Sequence, residues 1–397
     1  MKKPKYFDGK VSEGFVALYS ARSIMFVASG LLGLFLPVFI YQILGNSFEG
    51  MILFYGLASL LYILFLAFGV RLADKIGFSK SLKLSPYLLV IFFGIFYFMT
   101  ENNVAILLPI SLIVLSTWRI MYWTPYKTNL AKFTNQKNRG RQISAFYLTQ
   151  TILSVLLPII AGFMINEYGY GVLFLIAIIL HLVSSLPYRW LPKVPEKYSW
   201  GYKETWHKFF KLMKNKTVIS YVAIGAESFI GLYVWPIFLF LLLKGDFLKV
   251  GLVSTSVVFI AVILQLVSGK IIDKKMSRNK LLKWGTILYS VGWVFKIFIA
   301  TTFQVFIVGA YHSVAQIFTR TPFDALTYDM SSKEGTYIDE FTVIMEMAIS
   351  LGRVIAAVMV ITLSMFFSIE WLFVIAAVST LLFNYVGGEK MYLKKTY

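Results

Sequence analysis

Long apolar runs follow one another through most of this chain, and they constrain its fold more than any other feature. Hydrophobic residues make up 58% of the 397 residues and charged residues 14%, whereas soluble domains carry about 25% charged residues. A helix needs about 20 apolar residues to cross a bilayer, and a barrel strand would need only about 10, with alternating polarity. The chain is therefore predicted to be an all-α membrane protein.

Six apolar runs of this length lie in each half of the chain. In the first half they are Gly14–Tyr41, Phe48–Val70, Leu82–Met99, Val104–Trp123, Gln142–Ile165 and Val172–Leu191. In the second half they are Val218–Leu243, Val250–Ile272, Leu281–Ala300, Phe303–Thr321, Glu340–Leu363 and Ile369–Val386. The sequence thus predicts twelve transmembrane helices, with a six-helix bundle in residues 1–191, a cytoplasmic amphipathic linker in residues 192–217 and a second six-helix bundle in residues 218–397.

The net charge of +19 is distributed unevenly along the chain. Both termini and the loops after the even-numbered runs are rich in Lys and Arg, whereas the opposite loops hold only Lys244 and Lys249. Lys and Arg gather on the cytoplasmic side of membrane proteins, so both termini are predicted to be cytoplasmic in a multi-pass protein of the cell membrane. The basic excess then reports topology and contact with anionic lipids rather than nucleic-acid binding.

Short motifs recur half a chain apart. Leu72-Ala73-Asp74-Lys75-Ile76-Gly77 follows the second run, and Gly269-Lys270-Ile271-Ile272-Asp273-Lys274 follows the eighth. Asp273 lies 199 residues after Asp74, and Pro236 lies 199 residues after Pro37. A membrane chain built as two similar halves suggests a protein that moves one half against the other.

The first of these motifs resembles the signature loop of the major facilitator superfamily, G-x-L-A-D-[RK]-x-G-[RK]. Arg119 on the fourth run, followed by Pro125 and by Asn138-Arg139-Gly140-Arg141, is similar to that superfamily's fourth-helix arginine and the loop after it. The resemblance implies two pseudo-symmetric six-helix bundles with a substrate site between them. It also implies a transporter rather than an enzyme.

In that superfamily the loop after the second helix docks on the start of the eleventh, and its counterpart docks on the start of the fifth. The resemblance implies a cytosolic gate made of Arg71, Asp74, Lys75, Arg139, Arg141, Asp273, Lys274, Asp339 and Glu340. A helix start favours a carboxylate, and Asp273 would meet Arg139 and Arg141 there. Because the eleventh run begins with acidic residues, we expect Arg71 or Lys75 to pair with Asp339 or Glu340. The alternative is that these charges are solvated loop ends.

The resemblance also implies that the first, fourth, seventh and tenth helices line the central cavity. The candidate substrate-binding residues on them are Tyr19, Arg22, Trp118, Arg119, Tyr122, Trp123, Glu227, Trp235, His312 and Gln316. An ionisable residue inside a span is costly and is a functional candidate by default. Arg22 and Arg119 are the candidate anion contacts, because a guanidinium stays charged and forks onto a carboxylate or phosphate. That interpretation fails if Glu227 already pairs with either arginine.

Glu227 is the candidate for proton coupling, because burial and a neighbouring cation shift a carboxylate's affinity for protons in opposite directions. The alternatives are a permanent ion pair with Arg22 or Arg119, or a direct substrate contact. Three other charged residues suggest structural roles. Lys296 is expected to snorkel to the outer surface, and Glu346 and Arg353 are each expected to contact a neighbouring helix.

Together these features predict a secondary active transporter that moves a small solute, anionic or amphipathic, across the cell membrane by alternating access, with or without proton coupling. A multidrug or lipid efflux carrier of the same fold is an alternative. A membrane-embedded lipid-modifying enzyme is a weaker one, because acidic or histidine clusters are missing. The chain has no cysteine, and no cofactor or metal is expected. The expected partners are the solute, the bilayer and protons, and the expected state is a monomer.

Overall fold

The computed structural model describes residues 12–134, 139–193, 198–272, 278–333 and 338–386, and every regular element in these ranges is helical. The helices of the first half are α1 (Glu13–Gly33), α2 (Leu36–Ile43), α3 (Phe48–Ile76), α4 (Phe78–Tyr97), α5 (Val104–Phe133) and α6 (Arg139–Ser184). The linker forms α7 (Tyr202–Leu212). The second half holds α8 (Lys216–Phe229), α9 (Trp235–Leu242), α10 (Phe247–Ile272), α11 (Arg278–Ile297), α12 (Thr302–Lys333), α13 (Ile338–Ser364) and α14 (Phe373–Leu381).

Each of the twelve predicted spans falls on helical residues. Within the described ranges, eight helical segments are long and apolar enough to cross a membrane. The fifth and sixth spans lie on α6, whose backbone turns out of helical geometry at Gly169. The all-helical, multi-pass character is confirmed, while the number of twelve spans and their division into two six-helix bundles stay predictions.

The two prolines of the 199-residue repeat begin equivalent short helices. The predicted first span is interrupted between α1 and α2, and Pro37 lies in the first turn of α2. The predicted seventh span is interrupted by a π-helical turn over Ile230–Val234, and Pro236 lies in the first turn of α9. Proline fits there because the first turn needs no intrahelical N–H donor. The segments α2 and α9 pack on each other, so the repeat places equivalent pieces of the two halves in contact.

Two helices continue beyond the apolar runs that predicted them. The fourth run ends at Trp123, but α5 extends to Phe133, and Pro125 lies inside it. Similarly, α12 runs past Thr321 to Lys333. Lys127, which lies beyond the fourth predicted run, is consequently part of a helix.

Close backbone packing joins the two halves on the side predicted to face outward. A Cβ added to Gly162 on α6 would lie 2.4 Å from the carbonyl oxygen of Phe247, and one on Gly251 of α10 would lie 2.5 Å from that of Pro158. Small residues of this kind let membrane helices approach closely. The pairs α6–α10 and α3–α13 therefore form the contact between the halves, and the polar residues between them constitute the candidate site.

Candidate functional site

An aromatic cluster on α5 surrounds the guanidinium of Arg22. Its Cζ atom lies 5.5 Å from the ring centroid of Tyr122, 5.1 Å from that of Trp123 and 5.8 Å from that of Tyr126. Trp118 stacks on Tyr122 with their centroids 5.3 Å apart. These distances are within the range of cation–π attraction. The Nε atom of Arg22 is buried and finds no hydrogen-bond partner among the described residues.

Arg119 lies beside this cluster on α5, where the two halves meet. Its side chain is buried, and its Nη2 atom donates to the hydroxyl of Tyr233 over 3.5 Å. Its Nη1 atom is buried without a hydrogen-bond partner in the described part of the chain. Tyr233 belongs to the π-helical turn, and its ring stacks on Tyr55 of α3 with centroids 3.7 Å apart. Arg119 therefore contacts the opposite half through a tyrosine rather than a carboxylate.

Among the described side chains, one ion pair crosses between the halves. Lys127 Nζ donates to Glu346 Oε1 on α13 over 2.6 Å, and the Tyr62 hydroxyl donates to Glu346 Oε2 over 3.3 Å. The Glu346 side chain is 8% exposed and the Lys127 side chain 37% exposed. A buried carboxylate is thus held by two residues of the first half.

A second ion pair lies wholly within the second half. Arg320 Nη2 on α12 donates to Glu227 Oε2 on α8 over 2.6 Å. The hydroxyl of Tyr289 donates to Glu227 Oε1 over 2.5 Å, and the amide of Gln316 donates to the Tyr289 oxygen over 2.8 Å. The predicted structural alternative for Glu227, a pair with Arg22 or Arg119, is wrong, because Arg320 is its partner. The condition for reading Arg22 and Arg119 as anion contacts is therefore met.

Lys296 on α11 lies between two tryptophan rings. Its Nζ atom is 4.1 Å from the centroid of Trp235 and 4.0 Å from that of Trp293, and the residue is 4% exposed. The expectation that it snorkels to the outer surface is wrong, since two aromatic faces attract the ammonium inside the protein. The ring of His312 lies 4.6 Å from that of Trp293 and 4.6 Å from that of Tyr289.

The predicted substrate-binding residues thus fall into two groups. In the first half, Arg22, Trp118, Tyr122 and Trp123 form one cluster with Arg119 beside it. In the second half, Glu227 and Gln316 are linked through Tyr289, which also contacts His312, while Trp235 covers Lys296. Tyr19 stands apart, since its hydroxyl bonds the hydroxyl of Thr149 on α6.

The predicted gate residues are described only in part. Arg71 and Lys75 are exposed at the end of α3, where Gly77 ends the helix with a φ of 94°, a conformation that favours glycine. Asp339 and Glu340 are buried. No ion pair among the described side chains joins Arg71 or Lys75 to either carboxylate; Glu340 Oε1 accepts instead from the amide and hydroxyl of Ser199 at 3.0 and 2.5 Å. The side chains of Arg139, Arg141, Asp273 and Lys274 lie outside the described residues.

Several residues of the site were missed or underrated in the sequence. The strongest additions are Tyr62, Lys127, Tyr233, Tyr289, Arg320, Glu346 and Arg353. Helical spacing contains a weak signal for two of them, because Arg320 follows Gln316 by four residues and Lys127 follows Trp123 by four, so each pair shares a face. Nothing in the sequence distinguished the three tyrosines of the site from the others among the 24 in the chain. No group of three or more His, Cys, Asp or Glu residues suited to a metal occurs in the described ranges.

Comparison with known proteins adds a family and a fold. The family model of the Major Facilitator Superfamily matches residues 18–245 and again residues 217–386. The chain is similar to the solved structure of a bacterial homologue of the human drug peptide transporters PepT1 and PepT2, with a TM-score of 0.67 and 12% identity over 95% of this chain and 97% of the other.

A structure from work on substrate recognition in proton dependent oligopeptide transporters matches with a TM-score of 0.62 and 12% identity, covering 94% of this chain and 97% of the other. Among curated proteins, none matches the chain. At 12% identity, the two solved structures show a shared fold and nothing about the substrate.

Proposed function

Since the chain belongs to the Major Facilitator Superfamily, we propose that it is a secondary active transporter that moves a small anionic or zwitterionic solute across the cell membrane by alternating access. The solute would bind between the halves, and the loops that follow α3 and α10 in the sequence would gate the cytoplasmic side. In this proposal both termini are cytoplasmic and the protein works as a monomer.

The proposal that the solute bears an anionic group rests on the surroundings of Arg119. Its side chain is buried at the contact between the halves with one nitrogen unpartnered. A buried charge is costly unless it is paired, and an arginine fork matches the two oxygens of a carboxylate. Arg22 supports the same class, because aromatic faces rather than a carboxylate surround it. A solute that brings an anionic group would complete the site.

Proton coupling has two candidate carboxylates. Glu227 is the one indicated by the sequence, and Glu346 is a second one, favoured by its position between the halves. A carboxylate couples to transport when its surroundings differ between the two conformations, because its affinity for a proton then changes. Both candidates are buried and each pairs with a cation at 2.6 Å.

The test is solute flux into vesicles reconstituted with the purified protein, with and without an inward proton gradient. Short peptides, small carboxylic acids and uncharged sugars of similar size form the solute panel. We expect gradient-driven uptake of one charged class, lowered roughly tenfold or more by Arg119→Gln because a charge-assisted hydrogen bond is lost. Arg189→Gln, at an exposed arginine on the Pro187–Trp190 turn, is the matched control. Absence of flux for every solute would contradict the proposal.

A groove on the membrane-facing side favours efflux of an amphipathic drug or lipid as a second candidate function. It lies between α3 and α5, has a volume of about 290 Å³ and is apolar, with Leu61, Phe65, Phe68, Leu72, Ile113 and Met121 among its lining residues. Several of these side chains are exposed where lipid would contact them. Transport of a lipophilic cation that Arg119→Gln leaves unchanged would favour this function over the first.

A further inference from the structure

A second arginine enters the site from the opposite half. Arg353 on α13 interacts electrostatically with Tyr233, Arg119, Glu346 and Tyr62. Arg119 acts on it as a like charge, and Tyr62, whose hydroxyl donates to Glu346, interacts electrostatically with both arginines. Two cations from different halves therefore share one buried polar cluster.

The neighbours of these arginines leave both poorly satisfied. The one hydrogen bond of the Arg353 side chain among the described residues runs from Nε to Ser228 Oγ over 3.5 Å, at the outer limit of such a bond. Arg119 has one of the same length and a buried, unpartnered Nη1 atom. Glu346, the nearby carboxylate, is held by Lys127 at 2.6 Å.

The count of charges shows what is missing. Arg119, Arg353 and Lys127 bring three positive charges to the cluster, and Glu346 brings one negative charge. Two further carboxylates lie close by and have cations of their own: Glu227 is held by Arg320, and Asp324 interacts with Arg320 and Lys127. Like charges in a membrane interior repel strongly because the surroundings screen them little. The cluster therefore lacks a negative group.

We propose that Arg119 and Arg353 together bind one oxyanion group of the solute, a carboxylate or a phosphate, as a bridge between the two halves. Each guanidinium offers a planar fork that suits such a group. The inference rests on the proposed transport function and adds to it the residue of the second half that recognises the anion. In the empty protein, repulsion between the two arginines opposes their approach. The bound oxyanion cancels that repulsion, so occupancy favours the conformation in which the arginines are closest.

The test uses the full chain in lipid nanodiscs and follows its thermal unfolding. The probes are acetate, succinate, inorganic phosphate and pyrophosphate, with succinamide as the uncharged counterpart of succinate. We expect a carboxylate or a phosphate probe to stabilise the wild type while succinamide does not. Comparing the carboxylate probes with the phosphate probes shows which oxyanion the protein binds. Arg353→Gln and Arg119→Gln should each weaken the apparent Kd by roughly 10- to 100-fold, Arg353→Lys by less, and Arg189→Gln not at all.

A readout without ligand guards against misfolded variants. Removing one of two like charges should leave ligand-free Arg353→Gln at least as heat-stable as Arg189→Gln, whereas loss of a structural ion pair would lower its Tm. A lower Tm, or unchanged probe binding by Arg353→Gln, would overturn the bridge. So would a wild type that no oxyanion stabilises. Each of these results leaves solute flux in vesicles as a separate question, so failure of the bridge is distinguishable from failure of the transport function.

Discussion

Two of the buried carboxylates among the described residues, Glu227 and Glu346, have similar partners and different positions. Glu227 pairs with Arg320 at 2.6 Å, and both residues belong to the second half. Glu346 pairs with Lys127 at 2.6 Å, and this pair joins the second half to the first. Tyrosine hydroxyls complete both, from Tyr289 within the same half and from Tyr62 across the contact.

The different positions of the two ion pairs suggest different roles, one in stability and one in coupling. In alternating access one half rocks against the other around the site, so a pair inside one half keeps its geometry and a pair between the halves does not. The surroundings of Glu346 must change when the halves move, and those of Glu227 need not. If the protein is the proposed transporter, we expect Glu227 to contribute chiefly to stability and Glu346 to be the proton-coupling group.

The largest expected effect is on stability. Glu227→Gln leaves Arg320 without its ion-pair partner in a buried site, which destabilises the protein by about 3 kcal/mol, the lower end of the usual range because Asp324 also acts on Arg320. Thermal unfolding followed by tryptophan fluorescence measures the loss. The double variant Glu227→Gln/Arg320→Gln should recover part of it. An unchanged Tm together with loss of pH-dependent uptake would contradict the stabilising role of Glu227 and indicate that it is the coupling group.

The next effect is on transport. Glu346→Gln should lower proton-driven uptake roughly tenfold or more while solute exchange without a gradient continues, because Gln keeps the shape and removes the proton site. The cost in stability should be about 1 kcal/mol or less, since Lys127 is 37% exposed and can be hydrated. Vesicle uptake at several external pH values is the measurement, and Glu370→Gln at a partly buried glutamate near the start of α14 is the matched control. Retained gradient dependence in Glu346→Gln would show that Glu346 is not the coupling group.

The sequence could predict helices better than their contacts. Apolar runs of about 20 residues predicted helical spans, and the repeat of Pro37 and Pro236 marked equivalent positions in the two halves. The short helices α2 and α9 and their contact were not predicted. Apolar runs are local features, since a bilayer demands length and satisfied backbone groups from each segment by itself. The family followed from the signature loop, which has its own sequence pattern.

Partners of the buried charges could not be predicted in the same way. Arg320 lies 93 residues from Glu227, and a helix that is apolar on most faces shows little of which face turns inward. Lys127 looked like a loop residue because α5 continues beyond its apolar run. Lys296 looked like a snorkelling lysine because the sequence does not show that Trp235 and Trp293 meet around it. All three contacts depend on how the helices are rotated about their axes and offset along them.

A smaller effect is expected for Lys296, which lies near Glu227 in the second half. Lys296 is a further cation that acts on Glu227, from its place between two tryptophans. Lys296→Met keeps the volume and a favourable sulfur–aromatic contact, so the change in stability should stay within about 1 kcal/mol. Uptake should keep its pH profile if Glu346 is the coupling group. A shifted pH profile of uptake in Lys296→Met would indicate that Glu227 is the coupling group.

The smallest effect concerns a carboxylate outside the spans and serves as the baseline for the pH measurements. Asp246 accepts from the amide of Lys249 at 2.9 Å and pairs with its ammonium at 2.9 Å, and these contacts lower the pKa of Asp246 below its usual 3.8. Because the folded-state pKa is the lower one, the stabilisation is fully present above the unfolded pKa and is lost only as pH falls through the folded one. Between about pH 5 and pH 8 the group stays ionised, so Asp246→Asn should leave the pH profile of uptake unchanged. If that variant shifted the profile, effects of Glu346→Gln and Glu227→Gln on it could not be ascribed to buried carboxylates alone.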